Sequence, residues 1–347
     1  MFLNLFKQKR KILFFIIAIA ILVIGIAVGF LIEKAIYENK VNNEEQLQQL
    51  RIGYDSSKLI NPLLACDTTE SINDKELKPL KQKLEKLISQ QKSSELTERV
   101  SVYYRNLNDG HWTGINEDDG FVPASLIKVP LLIAYMKMAE SNPKILDQEY
   151  TYNAEDEDEN QEVQKPPTPF IKGKAYTVRE LLFRMIAYSG NNSHVILAQH
   201  VDPNYLAEVY TDLGLSHSDF SQSNITDNSV SPKAFSTFFR ILYNASYLNY
   251  EYSQQALQLM VDSTFKDGLV AGLPSYIKVA HKFGERTVVD NATNQVYFRE
   301  LHDCGIIYYP SNPYLLCVMT QGNNFDNLKT VISDISRLVY EEMMTNN

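Results

Sequence analysis

Apolar positions follow three regimes along the chain. From Ile12 to Ile32 they are continuous, 21 residues without a charge, and at about 1.5 Å per helical residue such a run crosses the roughly 30 Å hydrocarbon layer of a bilayer. Residues 33 to 71 are polar and mixed, with Asn42, Asn43, Gln46, Gln48 and Gln49 and only short apolar patches, as in a stalk. From residue 72 the pattern becomes periodic. Leu77, Leu80, Leu84, Leu87 and Ile88 recur at helical spacing, Val100, Val102 and Tyr104 alternate as a strand, and an Asn108-Asp109-Gly110 turn predicts a second strand over 112 to 115. A long apolar helix is expected over 124 to 138, a short strand over 150 to 153 and a loop over 154 to 174. Helical spacing then dominates 177 to 188, 192 to 200, 205 to 213, 232 to 243 and 253 to 262. Strand patterns return at 277 to 283, 303 to 309 and 315 to 320, before a closing helix over 327 to 343.

Strands at both ends with helices between them imply one discontinuous antiparallel sheet. The expected fold class is α/β in the broad α+β sense: a sheet flanked by terminal helices, with an all-helical subdomain inserted between its second and third strands. The basic cluster Lys7, Lys9, Arg10 and Lys11 stands just before the apolar run, and the positive-inside rule keeps that end cytoplasmic. The expected organisation is a cytoplasmic terminus (1–11), a transmembrane helix (12–32), an extracytoplasmic stalk (33–71) and a folded domain (72–347). This places the folded domain outside a membrane it is anchored to by a single pass. A cleaved signal peptide is the alternative, with Ala27-Val28-Gly29 at the cleavage site, but the run continues through Phe30, Leu31 and Ile32 and exceeds an ordinary signal core. Leu63-Leu64-Ala65-Cys66 has the form of a lipidation box, yet it stands too far beyond the apolar run to serve as one.

Charge and cysteines narrow the chemistry. The formal net charge is −9, with acid densest at Glu155, Asp156, Glu157, Asp158 and Glu159, so no broad basic face advertises a nucleic-acid partner. A soluble body that contacts small or peptidic ligands fits better, and it is expected to be a monomer. The three cysteines and six histidines have no metal-like spacing, and neither metal nor cofactor is expected. Cys304 and Cys317 fall on neighbouring strands of a hairpin turning at 310 to 313. The simplest register makes them diagonal, so they are expected to be reduced and packed.

Three short motifs carry candidate chemistry. Ser125-Leu126-Ile127-Lys128 places a hydroxyl and an amine on one helical face. Ser89/Lys92, Ser263/Lys266 and Ser275/Lys278 share this spacing, but only Ser125 stands at the start of a deeply apolar helix after two strands. There the unpaired backbone N–H groups and the helix dipole favour developing negative charge, and burial disfavours the charged lysine, so that Lys128 can act as a base. The bland alternative is a capping serine beside a lysine that reaches for solvent. Ser189-Gly190-Asn191 lies in a turn between two helices, and Lys282-Phe283-Gly284 on the strand that resumes the sheet; Ser71-Ile72-Asn73 and Lys266-Asp267-Gly268 show that neither pattern is specific alone.

Taken in this order and on these elements, the three motifs resemble those of class A β-lactamases and penicillin-binding proteins. The likeness extends to Met185-Ile186-Ala187-Tyr188, Ala271-Gly272-Leu273-Pro274 and Val279-Ala280-His281, and covers about residues 72 to 344. The resemblance implies Ser125 as nucleophile, Lys128 as its base or proton relay, and Ser189 as proton donor to the leaving nitrogen. It further implies that Asn191 holds the substrate's acyl amide, Lys282 supplies positive charge, Gly284 lines the substrate strand, and the N–H groups of Ser125 and Glu285 form an oxyanion hole. The implied substrates are β-lactams or D-alanyl cell-wall peptides.

Two departures qualify that expectation. Class A enzymes hydrolyse the acyl-enzyme with a loop glutamate, whereas no glutamate occurs between Glu208 and Glu251; Asp219 and Asp227 are the carboxylates of the short loop from Ser216 to Asn228, shorter by a methylene. Phe283 stands where the family has a hydroxyl that binds the substrate carboxylate, leaving Arg286 or Arg299 as replacement donors. The expectation is therefore an acyl-enzyme that deacylates slowly. The rival reading is a degenerate module that binds muropeptides or β-lactams without turnover.

Overall fold

The computed structural model describes residues 29, 33–34, 59–61, 76–153, 164–213, 229–290 and 292–345. Apart from Gly29, the expected span lies outside these residues, as do most of the stalk, Cys66, the acidic run and the loop with Asp219 and Asp227. Among the described residues no helix is long and apolar enough to cross a membrane. Two compact units divide the chain, 1–56 and 57–347. In the first, Gly29, Glu33 and Lys34 are helical; the second holds the sheet and its helices.

The second unit opens with α1 (Lys78–Ser93), β1 (Arg99–Asn106) and β2 (Trp112–Ile115). A 3₁₀ turn (Ala124–Ile127) leads into α2 (Lys128–Ser141), and a two-stranded ribbon, β3 (Glu149–Thr151) with β4 (Ala175–Thr177), follows. Helices α3 (Val178–Ala187), α4 (Asn191–His200), α5 (Pro203–Asp212), α6 (Pro232–Tyr243) and α7 (Tyr250–Val261) form the inserted subdomain. The chain then returns through β5 (Val279–Val289), β6 (Val296–Ile307) and β7 (Tyr314–Gly322), and ends in α8 (Phe325–Thr345). The main sheet has the order β2-β1-β7-β6-β5 with every pair antiparallel, so β5 is an edge strand.

Local chemistry explains several boundaries. Thr177 caps α3 by accepting from Glu180 N while Glu180 reaches back to Thr177 N, a reciprocal closure of orphan donors. Ser231 caps α6 ahead of Pro232 in its first turn. Strand β7 reads as an uninterrupted apolar run because both its faces are covered: Leu316 and Val318 pack with α1 and α8, whereas Leu315, Cys317 and Met319 pack with the helical subdomain.

The structure also departs from the sequence expectations. The expected helix over 124 to 138 begins as a 3₁₀ turn, so Ser125 precedes the α-helix and Lys128 is its first residue. The hairpin β5–β6 runs beyond its expected ends, since Glu285, Arg286 and Thr287 are strand residues whose polarity hides the strand pattern. Ile307 pairs with Tyr314, and moving three residues away from the turn, back along β6 and forward along β7, brings Cys304 directly opposite Cys317. The two form a disulfide, which corrects the expected diagonal, reduced pair. Leu59 and Ile60, expected in the stalk, are each 1% exposed. Leu59 N donates to Gln254 Oε1 at 2.7 Å, Tyr308 Oη donates to Leu59 O at 2.9 Å, and Asn61 N donates to Tyr243 O at 2.7 Å.

Candidate active site

Three elements converge on Ser125: the 3₁₀ turn that carries it, the turn between α3 and α4, and edge strand β5. Gly284 explains how β5 comes so close. A Cβ there would lie 2.8 Å from Pro123 O and 3.2 Å from Leu126 N, so only a residue without a side chain lets the strand pass against the turn.

Two backbone outliers sit at the same place. Ala124 has φ +48° and Ser189 φ +59°, a left-handed conformation that costs a non-glycine residue on the order of 1–2 kcal/mol. One immediately precedes Ser125. The other turns the chain between α3 and α4 so that the Ser189 hydroxyl meets both lysines.

The resulting arrangement is nearly continuous. Lys128 Nζ lies 3.1 Å from Ser125 Oγ, 3.2 Å from Ser189 Oγ and 2.8 Å from Asn191 Oδ1, and it also donates to Ser189 O. Lys282 Nζ lies 2.8 Å from Ser189 Oγ and 2.8 Å from Phe283 O. Both lysines and Ser189 are buried. Burial, followed by the Lys128 charge, pushes the Lys282 amine well below the ordinary lysine range; Asp303 and Glu285 oppose that shift.

Donor counting shows what Lys128 can do. The Ser189 carbonyl and the Asn191 amide oxygen only accept hydrogen bonds. A neutral Lys128 amine can therefore give its two hydrogens to them and direct its lone pair at the Ser125 hydroxyl, the geometry of a base that removes that proton.

Buried groups around this centre hold its frame. His302 Nε2 donates to Val122 O at 3.0 Å, and Phe121 packs edge-on against the imidazole with centroids 5.4 Å apart. Burial lowers the His302 pKa to about 4, so near pH 7 the ring is neutral and carries the Nε2 proton. His281 Nδ1 bonds Asp303 Oδ1 at 2.8 Å, and Asp303 Oδ2 accepts from Leu269 N at 2.9 Å, joining β5, β6 and the segment before β5. Thr264 N donates to Ala187 O at 2.9 Å, tying that segment to the end of α3 beside Ser189.

The structure brings together Ser125, Lys128, Ser189, Asn191 and Lys282, with Gly284 against the turn. Glu285 follows on β5, where its carboxyl feels Lys329, Lys282 and Lys128, although burial raises its pKa. Phe283 is 1% exposed and stacks on Phe265 with centroids 4.1 Å apart, packed with the residues of the terminal-helix side. Of the two replacement donors, Arg299 donates to Asn323 O at 2.9 Å, whereas Arg286 Nε stands 3.8 Å from Glu300 Oε2 and its buried Nη1 has no hydrogen-bond partner among the described residues. The residues missed from the sequence are His302, Phe265 and Asp303. The visible signal for two of them was the polar pair His302-Asp303 within the otherwise apolar stretch 301 to 307 of β6.

A profile described as the beta-lactamase enzyme family matches residues 79–343. Among solved structures, PBP-A is similar at 21% identity, over 78% of this chain and 98% of that one, with a TM-score of 0.65. A variant of PBP-A solved as an acyl-enzyme complex with penicillin G gives a TM-score of 0.64 at 21% identity, over 78% and 98% of the two chains. A β-lactamase from Chitinophaga pinensis gives 0.62 at 21% identity, over 76% and 99%, and a class A β-lactamase from Mycobacterium abscessus 0.59 at 20%, over 75% and 98%. At such identities these likenesses establish the fold. Comparison with curated proteins finds no match.

Proposed function

This chain belongs to the beta-lactamase enzyme family, and from that premise we propose that it is a membrane-anchored serine hydrolase that forms an acyl-enzyme on Ser125 and releases it slowly. The observation that carries this reading is the linked set Ser125, Lys128, Ser189 and Lys282, with contacts of 2.8 to 3.2 Å between successive side chains. Ser125 Oγ attacks the acyl carbon of a β-lactam or a D-alanyl cell-wall peptide while its proton passes to the Lys128 amine. As the C–N bond breaks, Ser189 gives its proton to the leaving nitrogen and is reprotonated from the lysine pair. Asn191 orients the acyl amide, and the N–H groups of Ser125 and Glu285 take the oxyanion.

Slow release rests on the sequence, which has no glutamate between Glu208 and Glu251. Loss of general-base help to water typically costs about 10² to 10⁴ in rate. The anchor rests on the uncharged run Ile12 to Ile32 and the basic residues before it. The Cys304–Cys317 disulfide supports an oxidising, extracytoplasmic location for the monomeric domain.

The test is the rate of covalent labelling by a panel of penicillins and cephalosporins, read by intact mass. Ser125→Ala abolishes labelling, and Lys128→Ala slows it by about 10² or more. Reversible binding with no adduct from any of the panel would instead identify a binding module.

A further inference from the structure

Between β3 and α4 lies a cavity of about 570 Å³, a size ordinary for a small-molecule site. Glu149, Tyr150 and Thr151 line it from β3, and Asn192, Gln199 and His200 from α4. Asn192 follows Asn191, whose side-chain oxygen accepts from Lys128 Nζ at 2.8 Å. The cavity therefore begins one residue along α4 from the group that holds the acyl amide in the acyl-transfer reading.

Its lining specifies the chemistry of a ligand. Asn192 is 3% exposed, and its Nδ2 has no hydrogen-bond partner among the described residues. A buried amide donor left unpaired is costly, and an acceptor oxygen on a ligand removes that cost. Across the cavity Tyr150 and His200 stack with centroids 3.8 Å apart and an angle of 22° between the rings. Both rings are held in place, since His200 Nδ1 donates to Ile196 O at 2.8 Å and Tyr150 Oη donates to Gln148 Oε1 at 3.2 Å. No lysine or arginine is among the described residues that line the cavity, whereas Glu149 is, so an anionic ligand is disfavoured. Fixed flat rings beside carboxamide and carboxylate groups suit a ligand with C–H faces and ring hydroxyls, and the Asn192 donor suits a carbonyl on that ring.

We propose that this cavity is a subsite for an uncharged N-acetylated sugar, whose acetamido carbonyl accepts from Asn192 Nδ2 while its ring lies against the Tyr150–His200 pair. Gln199 and Glu149 take the ring hydroxyls. The sugar would be the far end of an acyl donor held at Asn191; that role rests on the acyl-transfer reading of Ser125, but binding of the sugar does not.

The test is saturation-transfer NMR on the full chain carrying Ser125→Ala, so that no acyl transfer enters the readout. The probes are N,N′-diacetylchitobiose, cellobiose, which has the rings without the acetamido groups, and N-acetylglycinamide, which has the carbonyl without the ring. The expected result is binding of diacetylchitobiose with its acetamido methyl protons saturated, and about fivefold or more weaker binding of the other two. Asn192→Leu should remove the preference over cellobiose, and His200→Ala, at an exposed position, should weaken both disaccharides. No binding of diacetylchitobiose, equal binding of either comparison probe, or an affinity unchanged in both folded variants overturns the proposal. Penicillin labelling of the unsubstituted chain is scored separately: labelling without sugar binding leaves acyl transfer standing and removes the subsite, and sugar binding without labelling does the reverse.

Discussion

His302 shows at the residue scale how the nucleophile's position depends on a group that touches no substrate. Its Nε2–H holds Val122 O, three residues before Ser125, and complete burial keeps the ring neutral at neutral pH. The pKa is lowered from 6.5 to about 4, so between those values unfolding takes up a proton. Stability from this residue is therefore present above about pH 6.5 and is lost as the pH falls towards 4. The full effect is on the order of 3 kcal/mol. His302→Gln can keep a donor but does not titrate, and it should lower the slope of unfolding free energy against pH by about 1.4 kcal/mol per pH unit in that window. Denaturant unfolding at several values from pH 4.5 to 6.5 measures it. An unchanged slope would mean that His302 is protonated in the folded protein.

The motifs were legible at this scale because each is local. Ser125 and Lys128 share a face at a spacing of three residues whether the turn is 3₁₀ or α, and Ser189 and Asn191 needed only a turn between two helices. What could not be read were the properties set by distant partners. The positive φ of Ala124 depends on the strand and loop packed around it, and the burial of Phe283 depends on Phe265, which arrives from a different segment.

Among the elements, β5 decides whether the site exists. Its edge position and the bare Gly284 allow the strand to lie against the nucleophile turn, so Gly284→Ala must push them apart by several tenths of an ångström. The expected outcome is a folded protein whose labelling of Ser125 is slowed by about tenfold or more; labelling at the original rate would show that β5 does not set the geometry. The segment Leu59–Asn61 makes a similar point about boundaries. Three residues are too few to display a period, which is why their docking on α6, α7 and Tyr308 could not be seen in the sequence. Burial of two apolar side chains, less the cost of ordering the segment, leaves a net contribution on the order of 1–3 kcal/mol. Leu59→Ala with Ile60→Ala in the full chain should lower the thermal midpoint, and an unchanged midpoint would place this segment outside the cooperative unit.

For the whole molecule, the alternation of strand and helix signals was enough to predict the sheet and its helical insertion, since both sheet faces and each helix must bury an apolar surface. Register was harder: one residue of shift separates a diagonal cysteine pair from the directly opposed, bonded pair of β6 and β7. The proposed topology makes the domain accessible from outside. Protease added to intact cells should digest it, whereas protection until lysis would reverse the orientation.

The most direct test of the account is a chase on the full chain: label with benzylpenicillin, remove free drug, and follow the adduct by intact and peptide mass. The expected result is an adduct on the peptide containing Ser125 that persists well beyond the time needed to form it. An adduct elsewhere, or none with any β-lactam, would contradict Ser125 as nucleophile, and an adduct on Ser125 that clears as fast as it forms would contradict slow release.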